Sequence, residues 1–342
     1  MNLGIDLGSS RIVIYEPHAG ILVDEPSVVA IDRASGRLFA CGTEAEEMLG
    51  RTPDSILAAR PVQKGVIADY ELAEKLLRYY LHRVCMNKIT KPCVAVSVAE
   101  QVTEVEQRAF IEAVVSAGAR RVTLVPETVA AAIGADVDVS LPRGQMIVNV
   151  GGGTVDASVL SLKGEAVCAS VRGAGTAMDE AIVRHMRVAH GLLISESTAE
   201  RLKIGLAHAT PCEDARTMYA AGRDALTGLP RKQLVSAQEI SETLSESLLS
   251  ITDMVRQVLE ITPPELAGDI MENGMYLTGG LACVPGLPDL MRRVTGVSAC
   301  VVDNPTQCVA IGAGRALQYA SSFSAVYDLG NFSYRLSDAV TN

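Results

Sequence analysis

Residues 146–159 read MIVNVGGGTVDASV: an apolar run, a polar Asn149, three consecutive glycines and a second apolar run. Glycine weakens a strand and costs chain entropy. A cluster of three therefore marks either a sharp turn or a place where something approaches the backbone closely. The residues that follow, VDASVLSL, alternate as a strand does, so the glycines sit at a hairpin tip. Two familiar phosphate cradles do not match. A P-loop needs G-x-x-x-x-G-K-[ST], and a dinucleotide fingerprint needs G-x-G-x-x-G leading from a strand into a helix. What remains is a tip of bare main-chain N–H groups. It is either an anion-binding nest or an ordinary tight hairpin.

A second tip settles the direction of the reading. The chain begins LGIDLGSSRIVIYE, a strand, a turn holding Asp6, Gly8, Ser9 and Ser10, and another strand. A third glycine-bearing strand end, LTGG, follows at residues 277–280. Two tips in equivalent places, one per half, predict an α/β chain of two lobes with a nucleotide clamped between them. Asp6 suits Mg²⁺, a hard cation that takes oxygen ligands and retains several waters. At 342 residues the chain exceeds one ordinary core. The expected division is a first lobe over residues 1–143 and a second over 144–320. Residues 321–342 form a tail of weak periodicity, ordered only where it docks.

Between the tips, local signals place the other elements. Asp69 caps a helix over residues 69–84, and Thr103 with Glu106 forms a capping box for a helix closing at Gly118. RVTLVPETVAAAIGA reads as a strand running into a small-residue helix. Residues 196–209 and 236–260 carry helical periodicity, and NPTQCVAIGAGRALQYA is the last helix.

Composition excludes several function classes. Aromatic residues make up only 4%, with no Trp, which argues against a carbohydrate cleft or a base-stacking surface. A net charge of −10 disfavours nonspecific nucleic-acid binding. The eight cysteines are scattered without C-x-x-C spacing and read as reduced, mostly buried small hydrophobes. The five histidines show no ligand spacing, and none is assigned to a metal. The acids of 44–47 and 239–246 read as solvated helix faces. MNLGIDLG has no signal-peptide character, and no run approaches the ~20 apolar residues that span a bilayer. The expected location is cytoplasmic, with at most a peripheral place at the membrane's inner face.

The chain resembles the MreB family of bacterial actin homologues, within the actin and heat-shock-chaperone ATPase superfamily. The resemblance covers roughly residues 3–319 and includes GIDLG, DEPSVVAID, CGTEAEEMLGRTP, ARPVQKGVIADYE, ETVAAAIGA, GGGT, TAERLKI, GRDALTGLP, TPPELAGDIMENGMYLTGG and CVAIGAGRAL. It implies an actin-like, ribonuclease-H-like fold with ATP and Mg²⁺ in the cleft and a last helix that returns to the first lobe. The first phosphate loop falls on Asp6, Gly8, Ser9 and Ser10, and the second on Gly151, Gly152, Gly153 and Thr154. Glu200 and Lys203 match the E-x-x-K that holds ribose and base, and Gly279 and Gly280 match the base-side glycines. Glu127 matches the glutamate that orients the attacking water, a role that suits in-line attack on a γ-phosphate. Taken alone, Glu127 also reads as a simple helix-start acid, and Glu200 with Lys203 as an exposed i, i+3 pair.

Four departures from the family pattern bear on function. Asn149 stands where the second loop normally begins with Asp, which puts hydrolysis in question. Arg11 replaces a small polar residue and either contacts phosphate or points to solvent. Leu281 replaces a third glycine after LTGG. No amphipathic helix precedes the first strand, and the alternative membrane loop, residues 86–92 (MNKITKP), offers only Met86 and Ile89. The resemblance implies a filament-forming protein that organises cell-wall synthesis and shape, with itself and wall-synthesis membrane proteins as partners and weak membrane contact. The alternative is a hydrolysis-impaired paralogue that regulates or co-polymerises with another actin homologue.

Overall fold

Each glycine tip folds one strand back on the next. In the computed structural model, Asn2–Leu7 pairs antiparallel with Arg11–Glu16, the ladder ending at Leu7 opposite Ile12. Gln145–Val150 pairs with Thr154–Ser161 in the same way, ending at Val150 opposite Val155. The structure describes residues 1–86, 90–210 and 215–318, with the backbone of 325–328 and 333–336. A third antiparallel strand lies beyond each hairpin, Gly20–Pro26 in one half and Gly164–Arg172 in the other. On the opposite side of each hairpin lie two parallel strands. These are Cys93–Val98 and Arg121–Pro126 in the first half, and Met275–Thr278 and Ala299–Val301 in the second. Both sheets therefore share the order third–second–first–fourth–fifth. The duplication legible in the two tips extends to five strands per half.

Parallel neighbours need crossovers, and helices supply them. Tyr70–Cys85 and Glu104–Ser116 cover the first sheet. Asp69 caps the former by accepting from Leu72 N–H, and Thr103 and Glu106 form the reciprocal box on the latter. Their apolar stripes meet Leu3, Ile5 and Ile12 in a core that includes Leu76, Tyr80 and Phe110. The second core gathers Met146, Val148 and Val155 against Ala174–His190 and Ala237–Ile261. Each fully buried side chain of this size contributes roughly 1.5–3 kcal/mol of transfer free energy. Two three-stranded sheets complete the lobes, Val29–Asp32, Leu38–Cys41 and Ile56–Ala59 in the first, and Leu192–Leu193, Thr217–Asp224 and Pro230–Ser236 in the second, with a two-strand pair, Val62–Gln63 and Val66–Ile67, in the first.

A third apolar cluster joins the halves. The helix after each fifth strand, Glu127–Gly134 in one half and Cys308–Ala316 in the other, packs against its counterpart and reaches across to the opposite sheet. Contact is backbone to backbone. A Cβ on Gly312 would lie 1.7 Å from the Ala130 carbonyl oxygen, and one on Gly134 2.0 Å from that of Cys308. This explains why ETVAAAIGA and CVAIGAGRA are so poor in large side chains.

Several expectations change. The helix placed over 196–209 is Glu196–Leu206. The tail contributes backbone strands Ala325–Asp328, antiparallel to Arg121–Leu124, and Ser333–Leu336 beside it. Cysteine burial is partial: Cys41 and Cys308 are buried, but Cys168, Cys283 and Cys300 are exposed. Cys168 and Cys300 lie on the two edge strands of the second sheet, where one side of the strand pairs with no other among the described residues. Among the described residues no helix is long and apolar enough to cross a membrane. Met86 is exposed; Asn87, Lys88 and Ile89 of the expected membrane loop lie outside the described residues.

Candidate functional site

The two glycine tips meet at the floor of a cleft of about 670 Å³ between the lobes. Gly8 N–H donates to Arg11 O at 3.0 Å, and Gly151 N–H donates to Thr154 O at 2.8 Å, so each tip closes the same four-residue turn. That uses the amides of Gly8 and Gly151. Among the described residues, the N–H groups of Ser9, Ser10, Gly152 and Gly153 meet no acceptor, which leaves two donors per tip. None of Gly151, Gly152 or Gly153 has positive φ. The glycines therefore answer to space rather than to backbone conformation. A Cβ on Gly152 would stand 2.2 Å from Ser10 Oγ. One on Gly153 would stand 2.2 Å from Ser9 Oγ and 2.7 Å from Gly65 N. Close approach of the opposite lobe is the reason for Gly152 and Gly153, whereas a Cβ on Gly151 would meet only Thr154 O of its own turn, at 3.1 Å; within the opposing lobe Ser9 accepts from Gly65 N–H at 3.1 Å.

Every residue singled out in the sequence lines this cleft: Asp6, Gly8, Ser9, Ser10, Arg11, Glu127, Asn149, Gly151, Gly152, Gly153, Thr154, Glu200, Lys203, Gly279, Gly280 and Leu281. Their side-chain partners refine the picture. Arg11 Nε donates to Asp24 Oδ1 at 2.7 Å, so its guanidinium is engaged on the neighbouring strand. Lys203 is buried, donating to Asp179 Oδ2 at 2.7 Å and to Gly175 O at 3.0 Å. Glu200 faces Arg60 at 3.3 Å across the lobes, so the two residues of the E-x-x-K do not pair with each other. Gly279 has φ +88, and a Cβ there would lie 2.4 Å from Val150 O, so it is glycine for both reasons.

Carboxylates crowd the wall beneath the tips. Burial pushes Asp6 up to about 6, against the hydrogen bond it accepts from Ser97 Oγ at 2.9 Å. Burial, then the charges of Asp156, Asp6 and Glu100, hold Glu127 well above the usual carboxylate range. Asn149 Nδ2 donates to Glu127 Oε2 at 2.5 Å and so favours the ionised acid. Glu100 is pushed up to about 9 by burial and by Glu165, and Asp156 is raised by burial. Such an excess of hard oxygen donors suits a divalent cation, which would relieve the mutual repulsion. Of these acids Asp6 and Glu127 line the cleft, and the donor set fits Mg²⁺ held through its waters.

Three residues here carry no motif. Asp156 shares a register position with Asn149 across the hairpin; its only sequence signal is a charge inside the apolar run VDASVL. Glu100 ends the strand-like run CVAVSVAE. Arg60 donates to Ser10 O at 3.0 Å and bridges Glu46 and Glu200, which no local pattern announces. One exclusion needs correction away from the cleft. His185 and His190 converge on Glu239, so these histidines are grouped and Glu239 does not belong to a purely solvated face.

The family model described as MreB/Mbl protein matches residues 1–325. The cell shape-determining protein MreB of Escherichia coli (strain K12) is 44% identical over 323 residues, spanning 93% of each chain. The cell shape-determining protein Mbl of Bacillus subtilis (strain 168) is 40% identical over 314 residues, 92% of this chain and 94% of that one. Among solved structures, MreB5 of Spiroplasma citri bound to AMPPNP superposes with a TM-score of 0.87 at 32% identity. That match covers 93% of this chain and 96% of that one.

Proposed function

The chain belongs to the MreB/Mbl family, and on that premise we propose that it is a nucleotide-binding, actin-like protein that assembles into filaments and helps determine cell shape. The observation carrying this reading is the apposition of two hairpin tips closed by the same hydrogen bond, each presenting two uncommitted N–H donors into one interlobe cleft. A triphosphate accepting from both tips would tie the lobes together. The similar MreB5 structure holds AMPPNP, an ATP analogue.

In this reading Ser9, Ser10, Gly152 and Gly153 bind phosphate through the main chain, with Thr154 beside them. Glu200 and Lys203 flank the sugar and base, the Lys203 ammonium acting mainly through its grip on Asp179 and Gly175 O. Gly279, Gly280 and Leu281 form the base side. Bound Mg²⁺ would supply charge neutralisation at the β- and γ-phosphates, held through water by Asp6. Glu127 positions the attacking water and takes its proton. The lobes are residues 1–143, whose sheet the strand Ala325–Asp328 extends, and 144–320 with a sheet of its own, so closure is a movement of one sheet against the other about the paired helices. Self-association rests on head-to-tail contact of unlike surfaces, which gives open filaments. The small sheet of the second lobe exposes Tyr219 beside Leu234, with Leu226 and Leu229 at its hairpin tip. Location at the inner membrane face and contact with wall-synthesis membrane proteins extend the same proposal.

A second reading has an observation of its own. Asn149 engages Glu127 directly, so the residue expected to handle water is held by an amide where the family has a carboxylate. This favours slow hydrolysis and a regulatory or co-polymerising role. Calorimetry with Mg-ATP, and sedimentation with ATP, ADP and AMPPNP beside phosphate release, test both. The filament reading fails if the chain binds no adenine nucleotide at millimolar levels and never sediments. Filaments with negligible phosphate release select the second reading.

A further inference from the structure

Outside the cleft, three metal-ligating side chains share one point. Helix Ala174–His190 carries His185 and ends at His190, capped by Gly191 in the left-handed conformation. Helix Ala237–Ile261 carries Glu239 in its first turn, with Ser236 capping Glu239 N–H. His185 Nε2 lies 2.7 Å from Glu239 Oε1, and His190 Nε2 contacts the same oxygen. The imidazole rings stand 5.9 Å apart at 77°. All three ligand atoms lie within 4.8 Å of one another.

We propose that His185, His190 and Glu239 form a binding site for a divalent transition-metal ion of the zinc class, which pins the end of one helix to the start of the other. Two imidazoles and one carboxylate are a borderline donor set, suited to Zn²⁺ and its first-row neighbours rather than to Mg²⁺ or Ca²⁺. Tetrahedral coordination at about 2.0–2.1 Å separates ligand atoms by about 3.3 Å. The carboxylate oxygen needs to withdraw by less than about 1 Å from the present contacts to admit an ion at that bond length. In the metal-free form the imidazole N–H groups donate to Glu239; the ion replaces those protons. One further feature favours a cation: the site lies at the C-terminal end of Ala174–His190, where the helix carbonyls are electronegative. His190 O accepts from Arg231, whose charge is itself paired with Asp224 at 3.2 Å. All three side chains keep between 21% and 29% of their surface accessible, so an ion and a water ligand can reach them.

The test is titration of Zn²⁺ into the full chain without nucleotide, followed by calorimetry, and Co²⁺ titration followed by visible absorption. The parallel variants are His185→Gln/His190→Gln, Glu239→Gln, and Cys168→Ser/Cys283→Ser/Cys300→Ser, the last to remove exposed thiols. Expected are one equivalent bound, a tetrahedral cobalt spectrum and a raised melting temperature with metal, all retained in the triple cysteine variant. The double histidine variant should lose at least tenfold in affinity while its metal-free melting temperature stays within a few degrees of wild type. Glu239→Gln should fall between them. Absence of binding by folded wild-type protein overturns the proposal. So does unchanged affinity in the double histidine variant, which would place the ion elsewhere.

Discussion

Asn149→Asp tests whether the amide beside Glu127 holds a crowded acid cluster together. The wild-type contact is 2.5 Å, amide donor to carboxylate acceptor. The substitution removes a donor and sets a second acceptor at the same place. Loss of a hydrogen bond to a charged group costs roughly 1.5–3 kcal/mol. Two ionised carboxylates relaxed to about 4 Å repel by about 4 kcal/mol at an effective dielectric of about 20. The pair avoids most of this by sharing a proton, so the penalty depends on pH. For an acid whose folded-state pKa is raised, stability is complete below the unfolded value and is lost as pH rises through the folded one. Glu127 is already raised in the wild type, and a second carboxylate raises it further. The nucleotide-free variant is therefore expected to match wild type within about 1 kcal/mol at pH 5, where the shared O–H replaces the amide donor. At pH 8 it should be weaker by about 2–4 kcal/mol, or about 5–10 °C in melting temperature. Thermal unfolding from pH 5 to pH 8 measures this, with a second series in Mg-ATP, where cation binding should shrink the gap. Phosphate release should rise in Asn149→Asp and fall back when Glu127→Ala is added. An equal loss of stability at both pH values, or none at either, would refute the reasoning.

Three further outcomes follow from the same geometry. Gly153→Ala meets backbone at Gly65 N, whereas Gly152→Ala meets only the rotatable Ser10 hydroxyl at short range. Overpacking of about 1–3 kcal/mol is expected for the former, seen as about 5- to 150-fold weaker ATP binding by fluorescence titration; Gly152→Ala should lose much less, and the reverse order would count against close approach as the role of these glycines. Glu100, raised to about 9 mainly by burial, makes wild-type stability fall as pH rises from about 4.5 toward 9. Glu100→Gln should flatten that slope in denaturant melts and overtake wild type at pH 9; an unchanged slope would exclude Glu100 as its source. Arg60→Ala removes the bridge from Ser10 O to Glu200, so labelled-nucleotide release measured by stopped flow should quicken several-fold, and an unaltered rate would show that the bridge does not restrain the cleft.

Local chemistry was enough to write much of this protein in advance. Asp69, Thr103 with Glu106, and Ser236 each start a helix because a side-chain oxygen meets nearby main-chain N–H groups, an interaction confined to three or four residues. The hairpins were legible for the same reason, since alternation and a glycine tip are properties of contiguous chain. What the glycines exclude was not legible. Gly153 answers to Ser9 and Gly65, residues more than eighty positions away, and spacing along the chain carries no information about a surface arriving from the other lobe. The pairing of Asn149 with Glu127, the bridge of Arg60 to Glu200, and the meeting of His185, His190 and Glu239 have the same origin. Residue type tells which groups seek a partner; only the packing of one helix or sheet against another decides which partner lies within about 3 Å.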